Sequence, residues 1–251
     1  MRDTNGRPLG GVQPENKKKA VILRAEHVSF SYCAGKMSSK SGLPEAVRDV
    51  NADFHSGQLI VIIGPNGSGK TTLLNMLCTI DQPTSGHIYF MDQDVTLLSD
   101  QQRDELRRQK VGIIFQNTAL MAQMTAVENV EFALSIAGIK VKDRRSQAVA
   151  WLERMGIKER RNHMPAEMSG GEQARVAISR ALAHEPMLLL ADEPTSELDS
   201  KTSFRVVDMF RELVDEKGLT IIMTTHDVNI MDTIYTMEDG VIIDVAKKKK
   251  V

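Results

Sequence analysis

The segment GPNGSGKTT, residues 64–72, follows the apolar run LIVII (59–63) and leads into LLNML. Gly64, Gly67 and Gly69 can adopt backbone angles that turn successive N–H groups toward one point. With Pro65, Asn66 and Ser68 they predict a concave turn at a helix N-terminus, shaped for the phosphates of a nucleotide. Lys70 is placed to reach the β- and γ-phosphates, and the Thr71 hydroxyl to complete the shell of a Mg2+ ion, with Thr72 closing the motif. A strand, GxxxxGK[ST] and a helix in that order point to a triphosphate site.

A second acidic site follows another apolar run. MLLLADEPT (187–195) ends in Asp192 and Glu193. Acidic residues often begin loops and cap helices, but in a chain with a phosphate loop the pair suggests two tasks. Asp192 would hold Mg2+ through water, and Glu193 would polarise the attacking water as a general base. Gln116, after VGIIF (111–115), could contact Mg2+ or water, or close a turn. His226, after TIIMTT (220–225), could contact a γ-phosphate or serve a structural role.

MSGGEQARVAISRAL (168–182) carries a second glycine turn. Ser169 and Glu172 have the S-x-x-E spacing of a capping box, and Ala174, Ala177, Ile178, Ala181 and Leu182 recur at helical spacing on one face. Gly170 and Gly171 are poor first-turn residues if capping is their only task. They do let a phosphate approach the backbone closely.

The elements that must position these residues are legible as four apolar runs, 59–63, 111–115, 187–191 and 219–224. Each has strand length and little alternation, the pattern of strands covered on both faces. Between them lie helical signals. Thr125 and Glu128 are spaced as a capping box before a helix over 128–137 that stops at Gly138. Asp199 caps a helix over 200–217 that is expected to bury Phe204, Val207, Phe210 and Val214 and to stop at Gly218. Strands alternating with helices imply an α/β fold with a parallel sheet and helices on both faces. The charged stretch 99–180 reads as a helical insertion, and 33–45 as a surface loop.

The chain has 251 residues, 41% of them apolar and 26% charged, which suits a globular protein with a sizeable core. A net charge of −1 and an aromatic content of 4% argue against a surface built to attract or stack nucleic acid. Cys33 and Cys78 form no CxxC pair, as in a reducing compartment. No apolar run approaches the roughly 18 residues of a membrane span. Residues 1–20 carry no signal-like apolar segment and read as a flexible tail, as does the basic end at 247–251. Either tail could touch an anionic membrane surface or simply be solvated.

SGGEQ followed by ARVAISRAL resembles the signature motif of ABC-type ATPases, and the other motifs fall in that family's order. These are the phosphate loop (Gly64–Thr72), a glutamine loop at Gln116, the signature (Ser169–Gln173), the acidic strand end (Asp192, Glu193), SELD (Ser196–Asp199) and a switch histidine (His226). Tyr32, in VSFSY, matches the aromatic that stacks on adenine in the family. The resemblance covers about 25–244. It implies a P-loop NTPase core, RecA-like, over about 21–98 and 181–246, with a parallel-rich sheet and an antiparallel β part near the N-terminus. A helical subdomain over about 99–180 would bear the signature.

The resemblance further implies two subunits packed head to tail. Each ATP would be gripped by one subunit's phosphate loop and by the other's signature, so that Ser169, Gly170, Gly171, Glu172 and Asp199 serve the partner's nucleotide. An integral membrane, permease-like subunit would dock near the glutamine loop and hold the homodimer on the cytoplasmic face of the membrane. FQNTALMAQMTAVENVEFAL and LLSDQQRDELRRQKVG are similar to the branch of lipoprotein-release, macrolide-export and cell-division ATPases. Several positions depart from the family pattern. Met168 stands where leucine is usual, and Glu197 where a small or amide residue is common. The segment after His226 is about three residues short and lacks the usual alanine-aspartate-arginine run. Two other readings are a soluble ATPase of the same type acting on nucleic acid or ribosomes, and a module using ATP only to hold two subunits together. The chain has one ATPase half and no added arm, which disfavours the first; intact Glu193 and His226 disfavour the second.

Overall fold

The computed structural model of the chain describes residues 20–32, 45–225 and 231–247. His226, most of the 33–45 loop with Cys33, and the two tails at 1–19 and 248–251 lie outside the described residues.

The four apolar runs are strands: β3 (Leu59–Ile63), β6 (Val111–Ile114), β7 (Leu188–Asp192) and β8 (Thr220–Thr224). They lie side by side with β9 (Thr233–Glu238) and β10 (Val241–Lys247) in the order β10-β9-β3-β8-β7-β6. All neighbours are parallel except β9 and β10, which pair antiparallel at one edge. The segment beyond residue 230 therefore still supplies a strand beside β3.

Alternation along the central strands divides the core in two. Ile60, Ile62, Leu188, Leu190 and Ile222 face α1 (Lys70–Leu77) and a second sheet. Leu59, Val61, Leu189, Ala191, Ile221 and Met223 face the other helices. The second sheet is antiparallel, ordered β2-β1-β4-β5 from β1 (Val21–Phe30), β2 (Val47–His55), β4 (Ser85–Phe90) and β5 (Gln93–Asp94). Its register shifts several times along β1, and His27 and Asp49 sit there at φ 51° and 46°.

On the opposite face lie α3 (Ala126–Ile136), α4 (Val141–Arg154), α5 (Gly170–Leu182) and α6 (Ser200–Lys217). The span 99–180 opens with α2 (Asp100–Lys110), passes through sheet strand β6, and is helical again from α3. Thr125 and Glu128 do form a capping box, and Gly138 and Gly218 end their helices at φ 81° and 69°.

One expected core residue is corrected. Val207, Phe210 and Val214 are buried, but Phe204 is 57% exposed. The buried stripe of α6 centres on Val206, Met209, Phe210 and Leu213. At about 100° per residue, Phe204 points roughly 170° away from it.

Candidate functional site

The phosphate loop joins the C-terminal end of β3 to α1. Gly64 and Gly69 have φ of 155° and 97°. A Cβ on Gly64 would lie 2.0 Å from the Met237 carbonyl oxygen, and one on Gly69 2.2 Å from that of Ala46, so only glycine fits either position. α1 begins at Gly69 with no side-chain cap, which leaves its first N–H groups for an anion. Lys70 is 8% exposed, and its Nζ donates to the Gly64 and Pro65 carbonyls, both at 2.9 Å. Ser68 is buried and its Oγ has no partner among the described residues. A glycine-walled hollow, a buried hydroxyl with no described partner and a lysine held by loop carbonyls fit a polyphosphate.

Thr71 and Asp192 stand 121 residues apart in sequence, yet the Thr71 hydroxyl donates to Asp192 Oδ2 at 2.7 Å. The Thr224 hydroxyl donates to Asp192 Oδ1 at 2.5 Å. Asp192 itself is 8% exposed. Thr224 Oγ1 also accepts from the Glu193 N–H at 2.9 Å, and Glu193 is held at φ 48°. Such a conformation costs a non-glycine residue about 1–3 kcal/mol and recurs where a side chain must be aimed. Thr224 thus orients both acidic residues. Sequence reading missed it, because its only signal was a polar residue ending an apolar strand. Its role depends on β8 pairing with β7 so that Thr224 stands opposite Asp192.

Gln116, just past β6, lines one cleft of about 460 Å³ with Thr71 and Asp192. It also lines a narrower recess with Glu193. The hard oxygen ligands of Thr71, Asp192 and Gln116 fit Mg2+. Tyr32 reaches the same loop from β1, its hydroxyl hydrogen-bonded to Thr72 Oγ1 at 2.8 Å. Its ring is 68% exposed and braced edge-on by Phe30 at 4.9 Å, which leaves the ring open for stacking.

The second glycine turn is built otherwise. Ser169 Oγ accepts from the Glu172 N–H at 3.3 Å, and Glu172 Oε2 accepts from the Ser169 N–H at 2.9 Å, so the capping box is complete. Arg160 Nε donates to Glu172 Oε1 at 2.9 Å. The Ser169 N–H, and after it Arg160, hold the Glu172 carboxyl below the usual carboxylate range. Its oxygens are therefore committed to the turn. Asp199 similarly caps α6, and hydrogen bonds from the Thr202 hydroxyl and N–H hold its carboxyl low.

Ser169, Gly170, Gly171 and Asp199 line a cleft of about 350 Å³ that includes no phosphate-loop residue. Within one chain this cleft is distinct from the one lined by Thr71, Asp192 and Gln116. Among the described residues no group of three or more His, Cys, Asp or Glu side chains could hold a metal, and no helix is long and apolar enough to cross a membrane.

The sequence pattern of the family described as "ABC transporter" matches residues 47–196, more than half of the chain. The chain is 40% identical over 223 residues to the lipoprotein-releasing system ATP-binding protein LolD of Legionella pneumophila, covering 88% of this chain and 96% of that one. It is 47% identical over 201 residues to the macrolide export ATP-binding/permease protein MacB of Syntrophobacter fumaroxidans. That match covers 78% of this chain but only 28% of that longer protein. Among solved structures, the dimeric post-hydrolysis state of the ATP-binding cassette MJ0796 of Methanocaldococcus jannaschii, bound to ADP and Pi, superposes with a TM-score of 0.85 at 33% identity. It covers 92% of this chain and all of that one.

The chain belongs to the ABC transporter family, in which it is an ATP-binding and ATP-hydrolysing subunit. Family and α/β fold agree with the resemblance read from the signature and phosphate-loop residues, and the soluble alternative gives way to the transporter reading.

Proposed function

We propose that two copies of this chain pack head to tail and power an integral membrane partner, with ATP closing the pair and hydrolysis releasing it. The observation that carries the reading is the Thr71–Asp192 hydrogen bond beside an uncapped glycine loop, with Glu193 next in the chain and aimed by Thr224. Gly64 to Thr72 would wrap the phosphates, Lys70 would turn from the loop carbonyls to the β- and γ-oxygens, and Tyr32 would stack on adenine. Thr71, Asp192 and Gln116 would hold Mg2+, which when bound neutralises charge on the phosphate oxygens. Glu193 would take a proton from the water that attacks in line, and His226 would contact the γ-phosphate.

Ser169, Gly170 and Gly171 would meet the partner copy's nucleotide, with Glu172 keeping their turn in shape and Asp199 starting α6 beside it. The distinct clefts of Thr71–Asp192 and of Ser169–Gly171 support this trans arrangement, as does the dimeric state of the similar cassette. A membrane partner is supported by the names of the relatives, an export permease fusion and a lipoprotein-releasing system. With no membrane-crossing helix among the described residues, attachment at the cytoplasmic face would come from that partner.

The test is the Glu193→Gln variant, incubated with ATP and used as bait on detergent-solubilised host membranes. Loss of hydrolysis, an ATP-dependent dimer and a co-purifying integral membrane protein are expected. Normal hydrolysis would remove the base assignment. Ribosomes or nucleic acid without a membrane chain would remove the partner.

A further inference from the structure

Glu197 is the one described residue that borders all three of the clefts around the site. It lines the cleft of Thr71 and Asp192, the recess of Gln116 and Glu193, and the cradle of Ser169, Gly170 and Gly171. The segment 192–199 carries four carboxylates, Asp192, Glu193, Glu197 and Asp199. Asp192 is held by Thr71 and Thr224, and Asp199 by Thr202. Glu193 also has a partner, whereas the Glu197 carboxylate makes no hydrogen bond or ion pair with a described residue. It lies directly over the glycine turn: a Cβ built on Gly170 would come within 3.0 Å of Glu197 Oε2, and one on Gly171 within 3.1 Å of the Glu197 carbonyl oxygen. The one cation among the described residues of that cleft, Arg175, donates to the carbonyls of Gly171, Met155 and Gly156.

We infer that the Glu197 carboxylate is a built-in competitor for the second cradle, which must leave before a nucleotide phosphate can be gripped there. The inference rests on the reading that the Ser169–Gly171 turn meets the partner's nucleotide. Two physical effects drive it. The N-terminus of α5 favours a further anion, and in the separate chain the Glu197 carboxylate stands over it while the Glu172 carboxylate is already spent on the capping box. A phosphate arriving over Gly170 meets a like charge inside the Debye length of about 8–10 Å, where salt screens it only in part. Glu197 therefore raises the ATP concentration needed to close the dimer. Because it also borders the Thr71–Asp192 cleft, its displacement carries the state of one cradle to the other site of the same chain.

The experiment uses the full chain with Glu193→Gln, so that hydrolysis does not drain the dimer, and follows dimer formation by light scattering as ATP and Mg2+ are titrated. Adding Glu197→Gln, which keeps the shape and removes the charge, lowers the half-maximal ATP concentration roughly tenfold, equivalent to about 1.4 kcal/mol. Glu197→Asp, which keeps the charge, does not. Raising salt narrows the gap between chains with and without the Glu197→Gln change, because only the charged carboxylate is screened. An unchanged or higher ATP requirement for Glu197→Gln overturns the inference while leaving the head-to-tail reading intact. So does an equal gain from Glu197→Asp, which would make the effect one of size. If Glu193→Gln alone forms no dimer with ATP, the head-to-tail reading fails, and the competitor falls with it.

Discussion

The two glycine turns of this protein open two helices of the same kind by opposite means. At the phosphate loop, Gly64 and Gly69 are forced by neighbouring carbonyls at 2.0 and 2.2 Å and by left-handed backbone, and α1 starts with no side-chain cap. At the second turn, Gly170 and Gly171 need no unusual φ, meet nothing nearer than 3.0 Å, and stand inside a complete Ser169–Glu172 capping box. The first turn is unfinished without an anion. The second is a finished helix start with one open face. That difference fits the proposed sharing of a nucleotide between two molecules. The half proposed to bind first leaves its donors unspent, while the half proposed to close later holds its shape alone.

The sharpest way to break the comparison is an alanine in each turn. Gly69→Ala drives a methyl into the Ala46 carbonyl at a backbone angle that alanine resists, and is expected to abolish ATP binding in equilibrium dialysis. Gly170→Ala is expected to leave nucleotide binding to the same chain within about threefold while hydrolysis falls at least tenfold. If both lose binding equally, the turns are not divided between first and second grip. Lys70→Ala is expected to weaken ATP binding. A mixture of Lys70→Ala and Ser169→Ala chains, each inactive alone, should recover activity through one intact composite site per mixed dimer.

A smaller effect belongs to Thr224→Val. It leaves a buried Asp192 oxygen and the Glu193 N–H without a partner, and costs about 1–3 kcal/mol in urea unfolding along with loss of turnover. The smallest sharpens the second turn. Glu172→Ala removes half of the capping box and should cost about 1 kcal/mol, a fall in Tm of about 2–4 °C. Because folding holds the Glu172 carboxyl below its ordinary value of 4.5, its contribution is full above that value and is lost as pH falls through the lower folded value. The Tm gap between wild type and variant should therefore close in acid and stay constant from about pH 6 to 8.

The sequence by itself determined the parts whose causes are local. LIVII, MLLLA and LTIIMT name strands to within a residue or two, because strands buried on both faces need no polar alternation. Thr125, Ser169 and Asp199 name helix starts, and Gly138 and Gly218 helix ends, because caps act across three or four residues. The phosphate-loop glycines are legible for the same reason. The antiparallel sheet was expected only from the family resemblance, and tertiary structure alone decided its strand order and register, because bulged β1 carries no clean period; it also decided the outward turn of Phe204, which depends on which face of α6 meets the sheet. It alone brought Tyr32 to Thr72, Thr71 to Asp192, and Thr224 to both acidic residues. Those contacts join residues 31 to 121 positions apart, and a hydrogen bond of under 3 Å between such residues is set by strand order and register, which no local stretch of the chain encodes.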